Sequence, residues 1–263
     1  MRLIKFLFVF LCTWSLISCN NDNGKTLKVG TIAGPETQLM EVAKKVAKEK
    51  YGLEIKIIEF TDYVQPNAAL NDGSLDANMT QHEPYLIQQK KDRHYKIETI
   101  GKTFIYPMGI YSKKIKKLED LRDNAIVALP NDPSNEGRAL LLLQKANLIE
   151  LPANKGLFAT PHDIQKNPKH LKFKELDAAQ ISRALPDVDV ALINTNFAIP
   201  SGLTPTKDAI YLESTDSPYV NIIVARSSDL NDPRLKELVS SFQSQEVLEA
   251  AKKIFNDQAI AAW

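Results

Sequence analysis

Hydrophobic period changes along this chain, and it changes in the same way twice. Leu27, Val29 and Thr31 alternate with polar neighbours, as a half-buried strand does. Residues 36–50 then switch to helical spacing, with Leu39, Ala43, Val46 and Ala47 on one face and the lysines opposite. Gly52 stops that helix, and Leu53, Ile55 and Ile57 alternate again. Strand, helix, strand is a βαβ unit, which commits its two strands to run parallel. Helices over 63–71 and 83–92 follow, with a short strand near Leu75–Met79 between them and an extended stretch over Ile97–Tyr111.

Lys113 to Lys117 reads as a basic, exposed connector, and a second series begins at the apolar strand Ala125–Leu129. Asp132-Pro133 supplies a helix N-cap and a proline at the first helical position. That helix is expected to run to about Asn147, with Leu140, Leu141 and Leu143 facing the core. Strands near Leu171–Phe173 and Val188–Leu192 continue the series. Residues 209–225 are extended and lead to helices near 233–243 and 245–255. Two such series predict an α/β chain of two lobes, each a mostly parallel sheet flanked by helices. Ligands of such folds bind outside the carboxyl ends of the strands, here in the cleft. The connectors divide the chain into one lobe of residues 27–111 and 209–263 and a second of residues 112–208.

The N-terminus reads as an address. Arg2 and Lys5 precede an apolar run from Phe6 to Ile17, too short to span a bilayer comfortably but suited to a secretory signal. The run ends Leu16-Ile17-Ser18-Cys19, which resembles a bacterial lipobox, and the polar tether Asn20–Lys25 follows. Residues 1–18 are therefore expected to leave as a signal peptide. Cys19 would become the lipidated first residue, and 19–26 the tether to a bacterial membrane. The body would face the periplasm or the exterior. Cys12 and Cys19 are the two cysteines of the chain, so its body carries no disulfide, cysteine-ligated metal or thiol nucleophile.

Charge excludes other classes. The 33 basic and 32 acidic residues nearly cancel, and loss of Arg2 and Lys5 leaves 31 against 32. Such a balance gives no field for nucleic acid. His94, His162 and His170 show no metal spacing, and neither a Walker loop, a Gly-x-Ser-x-Gly elbow nor a His-Glu-x-x-His pair occurs. No metal or cofactor is expected.

Residues suited to holding a small zwitterion recur at element ends. Asp132 to Arg138 lies between a buried strand and a helix start, where free N–H groups attract an anion, and Asn135 and Arg138 share a face. Arginine takes a carboxylate through two parallel hydrogen bonds, although this segment alone favours a plain cap with a surface arginine. In Gln81-His82-Glu83-Pro84-Tyr85, His82 and Tyr85 are three apart, and Tyr63 opens the preceding helix. These rings could wall a thioether, or His82 could be structural. Asn194 and Asn221 each end an apolar stretch, where each could serve a ligand or a local turn. His82 with Glu83 would be the acid/base candidates of an enzyme, but adjacent helical positions point apart.

Together these segments resemble the NlpA-type lipoproteins, the methionine-binding proteins of bacterial ABC importers. The resemblance runs from about Leu27 to Trp263. It is carried by Asp62-Tyr63-Val64-Gln65-Pro66-Asn67-Ala68-Ala69-Leu70, Asp76-Ala77-Asn78, Gln81 to Leu86, Tyr111-Ser112-Lys113-Lys114, Pro130 to Arg138, and Ser217-Pro218-Tyr219-Val220-Asn221. It implies a two-lobed periplasmic-binding-protein fold, type II-like, closing on L- or D-methionine and delivering it, as a monomer, to an importer permease. Arg138 would then hold the ligand carboxylate. Asn135, Asn194 and Asn221 would hold its amino and carboxylate groups, and Tyr63, His82 and Tyr85 would line the thioether pocket. One departure stands out: where the family usually has an aromatic before Gln-His, this chain has Thr80, preceded by Met79. A lipoprotein binding another amino acid or a short peptide, and an enzyme on the same fold, are the alternatives.

Overall fold

The computed structural model describes residues 26–214 and 216–263. Cys12, Cys19 and the expected signal and tether lie outside the described residues, save for Thr26. The chain opens with β1 (Thr26–Ile32), α1 (Pro35–Tyr51), β2 (Glu54–Phe60), α2 (Gln65–Asn71), β3 (Ala77–His82), α3 (Glu83–Arg93) and β4 (Ile97–Ile105). There follow β5 (Gly109–Tyr111), β6 (Ile126–Pro130), α4 (Pro133–Lys145), β7 (Lys172–Leu176), α5 (Ala178–Ala184), β8 (Val190–Ile193), α6 (Thr195–Ala198), α7 (Pro205–Asp208) and β9 (Ala209–Leu212). The chain closes with β10 (Val220–Arg226), α8 (Pro233–Phe242), α9 (Gln245–Ile254) and β11 (Ile260–Ala261).

Two sheets result, in the orders β11-β4-β10-β3-β1-β2 and β7-β6-β8-β5-β9. The expected βαβ unit forms, with β1 paired in parallel to both β2 and β3. Each sheet is nevertheless mixed. β10 lies antiparallel between β3 and β4, and β5 lies antiparallel to β8 and β9. The parallel portions are the βαβ parts, where a helix returns the chain. The antiparallel strands β4, β5, β9 and β10 flank the passages between lobes, and β11 adds to β4 near the C-terminus.

That passage corrects the expected lobe boundaries. The extended stretches over 97–111 and 209–225 each split between the two sheets. β5 pairs with β9 at Gly109↔Leu212 and with β8 at Gly109↔Ile193, so 109–111 and 209–212 belong to the second lobe rather than the first. Pro107 gives the first break its physical reason, because it has no N–H for a ladder. The lobes are thus joined by two connections, residues 106–108 and 213–219.

The first core forms where Leu39, Met40, Ala43 and Ala47 of α1 bury against the sheet together with Leu235, Leu238 and Phe242 of α8. Gly52 caps α1 in the left-handed conformation, φ 64°, and its N–H returns to the Ala47 and Lys48 carbonyls. In the second core, α4 buries Leu140, Leu142 and Leu143. Leu142 thereby takes the place expected of Leu141, which is only half-buried. This helix is covered on a second side by the 156–158 turn, so its buried face is wider than a single stripe. Among the described residues no helix is long and apolar enough to cross a membrane.

Candidate functional site

The seven residues singled out from sequence, Tyr63, His82, Tyr85, Asn135, Arg138, Asn194 and Asn221, all line one cavity. They reach it from both lobes. β3 and the start of α3 bring His82 and Tyr85, and β10 brings Asn221, whose Cα pairs with that of His82. Tyr63 sits in the turn before α2 rather than inside that helix. From the second lobe, α4 presents Asn135 and Arg138, and the start of α6 presents Asn194.

Local chemistry fixes each group. Asp132 caps α4 by accepting the Asn135 N–H at 2.9 Å, and its two oxygens also accept the Asn135 amide nitrogen at 3.1 and 3.0 Å. The Asn135 oxygen therefore faces the other way, where it accepts from Asn194 Nδ2 at 2.8 Å. His82 caps α3, its Nδ1 accepting the Tyr85 N–H at 3.2 Å. Its ring proton must then sit on Nε2, which donates to Asn135 Oδ1 at 3.2 Å across the cleft. Burial, reinforced by the nearby Arg138 charge, pushes the imidazole down to about 3, so it is neutral. Both of its nitrogens are occupied, and Glu83 accepts from Thr99 Oγ1 at 2.9 Å, so this pair is not arranged for acid–base work.

Arg138 is 3% exposed and is anchored by protein groups. Its Nε reaches both Glu213 oxygens at 3.1 Å, and Nη2 donates to the Tyr106 carbonyl at 2.9 Å and to Glu213. Its carbon lies 4.5 Å from the centre of the Tyr219 ring. Among the described residues Nη1 has no partner, and Arg138 lines the cavity. Glu213, half-buried between the lobes, also accepts the Met108 N–H at 3.0 Å and Ser217 Oγ at 3.1 Å.

An aromatic wall adjoins these polar groups. Tyr63 lies 4.8 Å from Phe197 and 6.2 Å from Tyr85, and His82 lies 5.1 Å from Tyr219. The Tyr85 hydroxyl donates to the Tyr63 carbonyl at 2.9 Å, which locks the two residues together. Thr80 lines the cavity, whereas Met79 turns into the first core. The site thus offers a desolvated cation, unpaired amide oxygens and an aromatic pocket, which together suit a small zwitterion with an apolar side chain.

Sequence reasoning missed several participants. Asn196 and Tyr106 line the cavity, and Phe197, Tyr219 and Glu213 support it. Asn194-Thr195-Asn196 directly after a buried strand was a readable signal, and Tyr219 stands two residues before Asn221. Nothing local marked Glu213. Among the described residues no group of three His, Cys, Asp or Glu is placed to hold a metal ion.

The chain is similar to known proteins over nearly the whole of its described length. Residues 27–263 match the NlpA lipoprotein family. The chain is 53% identical to the D-methionine-binding lipoprotein MetQ of Salmonella typhimurium, over 95% of this chain and 93% of that one. An ABC transporter periplasmic substrate-binding protein from Coxiella burnetii superposes with a TM-score of 0.87 at 62% identity, covering 90% of this chain and 100% of that one. A nutrient binding protein from Burkholderia cenocepacia bound to methionine gives 0.88 at 56% identity, covering 90% and 100%.

Proposed function

Because the chain belongs to the NlpA lipoprotein family, we propose that it is an extracytoplasmic substrate-binding lipoprotein that captures methionine and delivers it to an ABC importer. The observation that carries this reading is Arg138, a buried guanidinium that lines the cavity and is oriented by Glu213 and Tyr106, with Nη1 unpartnered among the described residues. A free carboxylate is the natural complement of that group. The rings of Tyr63, Tyr85 and His82 complement a thioether, since sulfur packs favourably against aromatic faces. The relatives are substrate-binding proteins, and the chain's own chemistry is binding rather than turnover.

In this reading Asn135 acts indirectly, by holding His82 and Asn194, while Asn194 and Asn221 face the ligand. Thr80, smaller than an aromatic, widens one side of the pocket. Cys19 carries the lipid that ties a monomer to the cell envelope, and the closed lobes dock on a permease.

Calorimetry with the purified lipoprotein tests the assignment. Charge-assisted hydrogen bonds contribute about 1.5–3 kcal/mol, so Arg138→Ala should weaken methionine binding by about tenfold or more. Equal affinity in the two proteins would sink the reading. Growing cells with a labelled fatty acid tests the anchor: Cys19→Ala should lose the label and leave the membrane fraction.

A further inference from the structure

Glu36 is a carboxyl group with no evident task in the fold. It lies in the first turn of α1 and is 0% exposed. Neither of its oxygens completes a hydrogen bond, although the Asn196 side chain and the Ile32 backbone are near enough to act on it. A carboxyl buried without partners is strongly disfavoured, so its persistence points to a partner that arrives later.

The neighbouring unpaired atoms have the same sign. Asn194 and Asn196 line the cavity, and the Oδ1 of each is buried without a donor. The Asn194 amide is oriented by its bond to Asn135, so its free atom is an acceptor. Asn196 faces both the Glu36 carboxyl and the Tyr63 hydroxyl. The Tyr106 hydroxyl, also without a partner, lies within electrostatic range of Glu36. Two amide oxygens and a carboxyl therefore lack donors, and Arg138, the cation at the cavity, is the partner proposed for the ligand's carboxylate. A primary ammonium supplies three N–H donors and a positive charge, which is what this set lacks.

We infer that Glu36 is the buried counter-charge for the ligand's ammonium group, acting from behind Asn196, and that it makes the site selective for an amino acid over the matching hydroxy acid. This inference rests on the proposed amino-acid ligand. Burial pushes the Glu36 carboxyl up to about 8, so with protein neighbours alone it holds a proton at neutral pH. Arrival of an ammonium favours the ionised form: the carboxyl O–H breaks and the proton passes to buffer. The titratable groups facing Glu36 are the phenols of Tyr63 and Tyr106, both held well above their ordinary range, chiefly by loss of hydration. Neither can supply that proton near neutrality.

The test compares L-methionine with 2-hydroxy-4-(methylthio)butanoate on the purified lipoprotein, wild type and Glu36→Gln, by calorimetry in phosphate and in Tris. Glu36→Gln should weaken methionine by about tenfold or more and the hydroxy acid by less than about threefold. The methionine heat should depend on the buffer in the wild type and not in the variant. Equal weakening of both ligands, or no change in either, overturns the assignment. So does a buffer-independent heat in the wild type, a measurement that needs no folded variant. Wild-type protein that binds no methionine would overturn the functional reading and this inference with it. Methionine binding with unchanged discrimination overturns the role of Glu36 alone.

Discussion

Arg138 and Glu213 form a buried pair in which each neutralises the other, with side chains 3% and 8% exposed. Removing one partner leaves a buried charge, so Glu213→Ala should cost about 3–5 kcal/mol of unfolding free energy, measurable by denaturant titration. The same calculation applies to groups without a charged partner. Glu36 has its carboxyl raised from 4.5 to about 8, so the folded, empty protein binds its proton more tightly than the unfolded chain does. Its contribution is therefore intact below 4.5 and is lost as pH rises towards 8. His82 is shifted the other way, from 6.5 to about 3, so its contribution is intact above 6.5 and is lost as pH falls towards 3. Melting temperature of the empty protein should thus fall on both sides of mildly acidic pH. Glu36→Gln should flatten the alkaline limb alone, raising the melting temperature at pH 8 relative to wild type; a parallel displacement at all pH values would contradict this account.

β3 shows why an element can be recognised and still misplaced. Its partner β10 advances by two residues, from Ile222↔Gln81 to Val224↔Asn78, while β3 advances by three. The extra residue in β3 is a bulge, which re-aims side chains. Asn78 and Gln81 both reach Asn67, with bonds of 2.9 Å from Asn78 Nδ2 and 2.6 Å from Gln81 Nε2. Asn67 returns a bond to Gln81 Oε1 at 2.8 Å. The helix starts at Asp132-Pro133 and His82 and the βαβ unit were legible, because caps, prolines and periods are local; the seven residues that line the cavity were drawn together by the family resemblance, since no local signal set Asn194 or Asn221 apart from an ordinary turn. Bulges, the sheet that β5 joins, Glu213 and Glu36 were not legible, because each depends on a partner remote in sequence. Gly137 is a further case. Glycine inside a helix is ordinarily worse than alanine by about 1 kcal/mol. Here a Cβ would lie 2.1 Å from the Leu157 carbonyl oxygen, a backbone atom that cannot rotate away. Gly137→Ala should therefore destabilise by about 1–3 kcal/mol, as overpacking does, and a thermal melt that rose would refute it.

The lobes meet through contacts that a ligand would bury or reinforce. His82 donates to Asn135, Tyr63 packs on Phe197, and the Gly34 backbone before α1 approaches Pro200 so closely that an added Cβ would lie 3.0 Å from its ring. Arg138 bonds both connections at once, through the Tyr106 carbonyl and Glu213. Ligand capture and lobe closure consequently share residues, and apparent affinity should scale with the fraction of empty molecules already closed. Phe197 separates the two effects. It touches Tyr63 across the cleft, 4.8 Å between rings, and lines the neighbouring groove formed with Phe60 and Pro200. An aromatic pair contributes about 0.5–1.5 kcal/mol beyond its area, so Phe197→Ala should weaken methionine binding by about two- to tenfold if that contact exists only when the lobes are closed. Small-angle scattering supplies the second readout. The variant should show a larger radius of gyration than wild type when empty and the same radius at saturating methionine. A weakened affinity with identical radii in both states would place Phe197 in ligand contact instead, and an unchanged affinity would mean that the Tyr63–Phe197 pair persists when the cleft opens.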